Sequence, residues 1–221
     1  MALVVPVQRS WLPMMYKMDI EKSENRDIIR DSLFYFCILG GFVFLGISQM
    51  GEFILGIAST DAYLAGAKFI PFILFAYFLN GFRVFFLSGA ALKDQNKKLG
   101  FISLSGIAVN LVLNWILISK YGTNGAAWAT VISFFYLTLV IYILSQKEVF
   151  INWKWKRIWK LLFVILFLFL SLNQLTIHYP NLKVLALILM IPIYPILLIV
   201  FNIIGKRELS SVKLLINNIK N

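Results

Sequence analysis

Thiol and imidazole are almost missing from this chain: Cys37 is its one cysteine and His178 its one histidine. A single cysteine excludes an intramolecular disulfide, and one residue of each kind cannot build a His/Cys metal centre. Charge is scarce as well. Lys, Arg, Asp and Glu make up 14% of the 221 residues against 60% hydrophobic, a balance that no water-soluble domain of this size requires. Acidic residues are the rarer sign, 10 against 21 basic ones. Asp61 and Asp94 stand alone in their loops, so neither membrane face gathers the acids or histidines that a transferase site needs. We therefore expect neither an enzyme nor a bound cofactor or metal. Residues 1–18 do not read as a signal peptide, since they lack a basic start, Pro6 and Pro13 interrupt the apolar run, and no small-residue cleavage site follows.

What the chain does have is long apolar runs. A helix needs about 20 mostly apolar residues to cross roughly 30 Å of hydrocarbon, and six stretches qualify: Ser32–Ala58 (A), Phe69–Leu92 (B), Leu99–Ser119 (C), Gly125–Ser145 (D), Leu161–Ile177 (E) and Val184–Ile204 (F). Leu161–Leu170 is apolar without a break, which excludes the alternating strands of a membrane barrel. The expectation is an all-α, polytopic transmembrane bundle of six spans. Pro192 and Pro195 lie in mid-span F and remove two N–H donors, so a kink is expected there.

The net charge of +11 does not imply nucleic acid, because the cations follow topology instead of forming a surface. Residues 1–31 hold Arg9, Lys17, Lys22, Arg26 and Arg30; the B/C loop holds Lys93, Lys97 and Lys98; the D/E loop holds Lys147, Lys154, Lys156, Arg157 and Lys160; the tail holds Lys206, Arg207, Lys213 and Lys220. The intervening A/B, C/D and E/F loops hold only Lys68, Lys120 and Lys183. By the positive-inside rule both termini are then cytoplasmic. The stretch Asp19–Asp31 mixes both signs and reads as a solvated helical approach to span A, its charges pairing locally. Trp153, Trp155 and Trp159 among the D/E cations read as headgroup-level anchors on an anionic leaflet.

Spans A, B and C carry small or polar residues at helical spacing: Gly41, Leu45, Gln49, Glu52 and Gly56; Ala76, Asn80 and Arg83; Ser103, Gly106, Asn110 and Asn114. Steps of three and four keep each set on one face, expected to point into the bundle. Interhelical packing accounts for such residues at about 0.6 kcal/mol per hydrogen bond. Arg83 asks for more, because a charge at mid-span costs about 2.5–3.5 kcal/mol. It lies about 13 Å from Leu92, at nearly the depth of Asn80 (about 18 Å) and Asn110 (about 16 Å). These three form the expected substrate-binding set, with Arg83 contacting an anionic group; a structural role is the alternative. Glu52 lies about 28 Å from the cytoplasmic end of A. It is read as solvated at the helix mouth, with proton or sodium coupling as the alternative.

The run Asn110–Thr130, NLVLNWILISKYGTNGAAWAT, has an asparagine-bearing helix, a short glycine turn and a Gly-Ala-Ala start to the next helix. It resembles the C-terminal half of polysaccharide and O-antigen flippases, the Wzx-like branch of the MOP exporter superfamily. Asn110, Asn114, Tyr121, Gly122, Gly125, Ala126, Ala127, Ala129 and Thr130 fit that pattern. Gly122 suits a tight turn, and Gly125 with Ala129 is a small-xxx-small pair. Tyr63 and Ala67 resemble the tyrosine and alanine that precede the next helix in the family, although the family's preceding glycine is missing; Lys93, Lys97 and Lys98 resemble its basic loop. The resemblance covers about residues 3–146.

It implies one lobe of a two-lobe, alternating-access transporter, with residues 1–31 as the tail of a preceding helix or an interfacial segment plus the approach to A. Residues 32–146 are the four-helix lobe, 147–160 the cytoplasmic Trp/Lys interfacial loop, and 161–221 two peripheral helices and a cytoplasmic tail. It further implies a truncated product whose partners are membrane lipid and a missing N-terminal lobe or a second copy. The substrate implied is undecaprenyl-pyrophosphate-linked oligosaccharide, moved across the bacterial inner membrane for polysaccharide, O-antigen or lipopolysaccharide assembly. The alternatives are a non-transporting scaffold subunit and half of a MATE-like drug/cation antiporter.

Overall fold

The computed structural model describes residues 4–58 and 66–205, with the side chains of Val4, Glu52, Ala58 and Pro180 outside that description. Its helices are α1 (Val4–Met15), α2 (Ser23–Ala58), α3 (Ile70–Ala91), α4 (Asn96–Tyr121), α5 (Thr123–Glu148), α6 (Trp155–His178) and α7 (Lys183–Val200), with a 3₁₀ turn at Pro180–Leu182 and no strand among the described residues. Helices α2 to α7 are each long and apolar enough to cross a membrane. The chain is an all-α, multi-pass membrane protein, and its six spans fall on runs A to F. Tyr63, Asp61 and the tail cations from Lys206 onward lie outside the described residues.

Two compact units divide the chain at Lys154/Trp155. In the first, α3 is the central helix, with α2 and α1 on it and α5 packed along it; α4 lies beyond α5. The chain therefore goes from α3 to α4 through a tight turn, yet α5 is the helix that returns to α3. Asp94 adopts the left-handed conformation (φ 56°) in that turn, and the Gln95 N–H donates to the Ala90 carbonyl at 3.0 Å, the usual way to close a helix on its own last carbonyls.

Aromatic rings fill the space around α3. Trp11 lies 4.9 Å from Phe85, Phe85 5.4 Å from Phe36 of α2, and Phe36 5.7 Å from Phe78. Phe86 reaches Tyr142 of α5 at 5.0 Å. Each such pair adds about 0.5–1.5 kcal/mol beyond its buried area. Small residues let the backbones close in elsewhere: a Cβ on Gly89 of α3 would stand 2.2 Å from Ser145 Oγ of α5, and one on Gly106 of α4 would stand 2.3 Å from Leu137 Cδ2 of α5.

The inward stripe expected of B is observed, with Ala76 and Asn80 buried and Arg83 half-buried; in A, Gly41, Leu45 and Gln49 are buried but Gly56 is exposed. In α4 the stripe is incomplete. Gly106 is buried, but Ser103 is exposed and returns its hydroxyl to the Leu99 carbonyl at 2.9 Å, because among the described residues α4 packs mainly on α5.

One segment keeps to its sequence reading as too short to span, and one differs. Residues 4–15 form a helix docked on α3 through buried Trp11 and Met15; at about 18 Å it is too short to span. Trp153 is not a headgroup anchor. After α5 the chain leaves the helix at Val149 in extended conformation (φ −143°, ψ 119°) and makes a tight turn about Asn152, the Trp153 N–H donating to the Ile151 carbonyl at 3.0 Å; Val149, Ile151 and Trp153 are buried and Phe150 and Asn152 exposed between them, a period-two alternation. Trp153 meets Phe86 at 4.9 Å. Gln146 holds this strap at two points, donating to the Ile151 carbonyl at 3.0 Å and accepting the Ile151 N–H at 2.8 Å. From Trp155 onward the expected loop is already helix α6. Trp159 is exposed there, as an anchor would be.

One end of the first unit carries its inter-element ion pairs: Glu21 with Lys93, Lys98 with Glu148 at 3.3 Å, and Asp31 with Lys154 at 3.0 Å. Arg30 pairs with Asp27 at 2.6 Å and Asp31 at 2.7 Å, the local pairing expected of that stretch. These contacts tie the approach to α2, the α3/α4 turn and the end of α5 together, as an antiparallel up-and-down path demands.

The second unit is the α6/α7 hairpin. Asn202 closes α7 in the left-handed conformation (φ 51°), and Lys160 donates from the first turns of α6 to the Phe201 carbonyl at 3.4 Å, satisfying one of the orphan carbonyls at a helix end. Pro192 and Pro195 lie within α7, which remains one helix.

Candidate functional site

Arg83 stands in the middle of α3, about 12 Å from Ala91 at 1.5 Å per residue. Its Nε donates to Asn80 Oδ1 at 2.7 Å, one turn earlier. The i, i+3 spacing puts both residues on one face. Asn80 is 9% exposed, and Arg83 is half-buried. None of the ion pairs among the described residues includes Arg83, so its charge has an amide beside it and no carboxylate. A guanidinium is always protonated in proteins, and the site is therefore a fixed positive charge at mid-helix.

The backbone next to this pair is held from α5. Thr138 Oγ1 donates to the Leu79 carbonyl at 3.0 Å, the residue before Asn80. Sequence reasoning passed over Thr138, because a threonine in an apolar run signals nothing until its partner helix is known.

Asn110 is placed elsewhere. Its Nδ2 donates to Ser133 Oγ of α5 at 3.1 Å, and Asn114 Nδ2 donates back to Asn110 at both the carbonyl (2.9 Å) and Oδ1 (3.0 Å). The Ser133 hydroxyl in turn donates to the Ala129 carbonyl at 2.6 Å, and the Ser105 and Tyr136 hydroxyls meet at 3.0 Å. These groups form a polar clasp between α4 and α5. The structure thus brings Asn80 and Arg83 together and gives Asn110 and Asn114 to the helix interface.

The glycine turn between the two helices has the geometry its residues suggested. Gly122 has φ +57° and ψ −134°, open to glycine and strained for any other residue. A Cβ on Gly125 would stand 2.0 Å from the Leu117 carbonyl oxygen of α4, and Ala129 is fully buried. Ala126 is half-buried, its N–H bonded to the Gly122 carbonyl at 3.3 Å. Glu52 belongs to α2, and its side chain lies outside the described residues. Among the described residues, no three His, Cys, Asp or Glu side chains gather around a common metal position.

No protein-family model, characterised protein sequence or solved structure matches this chain. The site itself offers one permanent cation beside a neutral amide, Arg83 and Asn80, on the helix against which α1, α2 and α5 pack.

Proposed function

We propose that this chain is one lobe of a transporter that moves undecaprenyl-pyrophosphate-linked oligosaccharide across the bacterial plasma membrane, with Arg83 meeting the pyrophosphate. The observation that carries this reading is the arginine itself. A mid-span cation with no carboxylate beside it among the described residues is expensive in lipid, and a polyanionic ligand offsets that expense through charge-assisted hydrogen bonds. A drug/cation antiporter calls for the opposite sign in its cavity. The Asn110 amide is spent on the α4–α5 clasp, so the reading rests on Arg83 and Asn80.

Orientation follows from the cations. The ion-paired end of the first unit carries the lysine-rich turns, and the positive-inside rule makes that end cytoplasmic together with both termini. Transport by alternating access then requires a second lobe, supplied by another segment or a second copy. Glu52 stays solvated at the helix mouth in this reading; the alternative, a proton- or sodium-coupling carboxylate, is ruled out if transport is unaffected by Glu52→Gln.

The test is reconstitution of the chain in vesicles with a fluorescent undecaprenyl-pyrophosphate oligosaccharide, reading flipping by the fraction open to an impermeant quencher. Wild-type protein should raise the rate, and Arg83→Glu should return it to that of protein-free vesicles. Equal rates for wild type and Arg83→Glu refute the proposal. A folded wild type with no activity refutes transport by copies of this chain alone, and favours the scaffold reading or a second lobe from another segment.

A further inference from the structure

An arginine offers five N–H donors, one on Nε and two on each Nη. In α3 the Nε donor is taken by Asn80 Oδ1 at 2.7 Å, while the four Nη donors have no partner among the described residues. The side-on edge of the guanidinium is thereby closed. What remains is the end-on edge, where one N–H from each Nη runs parallel to the other and matches two oxygens of a single phosphoryl group. The backbone beneath this arrangement is pinned by the Thr138 bond to the Leu79 carbonyl at 3.0 Å, and Asn80 is itself nine-tenths buried, so neither the amide nor the plane it sets has room to wander.

The identity of residue 80 carries a second consequence. An aspartate would accept the same Nε–H from the same place, being nearly isosteric with asparagine, but would cancel the charge of Arg83. Asparagine supplies the orienting acceptor while leaving the full positive charge in place. We propose that Asn80 is the positioning and charge-selecting residue of this site: it presents the Nη edge of Arg83 end-on to a phosphoryl group, and its neutrality is what makes the site take anions. This rests on the reading of Arg83 as an anion contact.

The experiment is calorimetric titration of the purified full chain in detergent with inorganic pyrophosphate, alongside the thermal midpoint of each variant. Wild type should bind. Asn80→Asp should bind about tenfold to a hundredfold more weakly, as Arg83→Ala does, while melting at or above the wild-type midpoint because its new carboxylate pairs with Arg83. Asn80→Ala should weaken binding to a lesser extent, since the charge survives without its orientation. A purely structural asparagine would give the reverse pattern, with stability lost in Asn80→Asp and binding kept. If Asn80→Asp binds as wild type while Arg83→Ala does not, the role of Asn80 is refuted and the anion site stands. If wild type fails to bind, or Arg83→Ala binds as well as wild type, the anion reading falls and this inference with it.

Discussion

Replacing Gly125 with alanine adds one methyl group, and the structure gives the size of the collision. The new Cβ would stand 2.0 Å from the Leu117 carbonyl oxygen, 2.3 Å from its carbon and 2.8 Å from the Ile118 nitrogen. All three atoms are backbone of α4, so no side chain can swing aside. Relaxed carbon–oxygen contacts lie at about 3.3 Å or more, and the start of α5 must therefore retreat from α4 by about 1.3 Å. A rigid retreat of that size also stretches the Asn110–Ser133 bond, now 3.1 Å. Overpacking of this kind costs about 1–3 kcal/mol, and a lost interhelical hydrogen bond adds about 0.6 kcal/mol. Gly100 is the matched control, since it lies in the same α4 with nothing within 4 Å of its Cβ position. Alanine there should be neutral or stabilising by up to about 1 kcal/mol, the helix-propensity difference. Unfolding of each variant in mixed micelles by titrated SDS measures both. Equal stability of Gly125→Ala and wild type, or a loss in Gly100→Ala as large as that in Gly125→Ala, would refute the argument that backbone approach holds this hairpin.

Two further substitutions probe the first unit. Gln146→Leu removes both bonds that hold Ile151 and leaves two backbone groups to find water, at about 1–3 kcal/mol; tryptic cleavage after Lys154, followed by mass spectrometry, should accelerate relative to cleavage after Lys156, and an unchanged ratio counts against the strap. Thr138→Val keeps the shape of the side chain and deletes its bond to Leu79, so SDS unfolding should shift by about 0.6 kcal/mol, and a shift within error would mean that α5 does not hold the backbone beside Asn80.

The six spans were legible in the sequence because a bilayer crossing demands a run of a fixed length, and nothing about a neighbour is needed to see it. The Asn80–Arg83 pair was legible for a similar reason: spacing of three along one helix fixes proximity without tertiary knowledge. Asn110 was different. Its depth matched that of Arg83, but depth is one coordinate, and the helix it faces was settled by Ser133 on α5, which no spacing within span C could indicate. Trp153 was misjudged because three tryptophans among cations suggest an interface. Only the position of Phe86 at the end of α3 explains why residues 149, 151 and 153 turn inward. The insertion of α5 between α3 and α4 was also out of reach, since chain order makes α4 the nearer helix to α3, and the close approach of Gly89 to Ser145 decides otherwise.

Helix α4 touches the first unit along one side and leaves Phe101, Leu104, Ile107, Leu111, Trp115 and Ile118 exposed along its length. From Phe101 to Ile118 that stripe measures about 26 Å at the rise of a helix, a little under the hydrocarbon thickness of an average bilayer. With no helix beyond it among the described residues of its unit, α4 presents this stripe to the acyl chains around it. Thicker lipid makes it straighten or thin the surrounding membrane, and thinner lipid makes it tilt. The asparagine clasp joins α4 to α5, and the Thr138 bond joins α5 to the backbone beside Asn80. The Asn110–Ser133 and Thr138–Leu79 bonds are thus the polar contacts through which a tilt of this outer helix would reach the helix that carries Arg83.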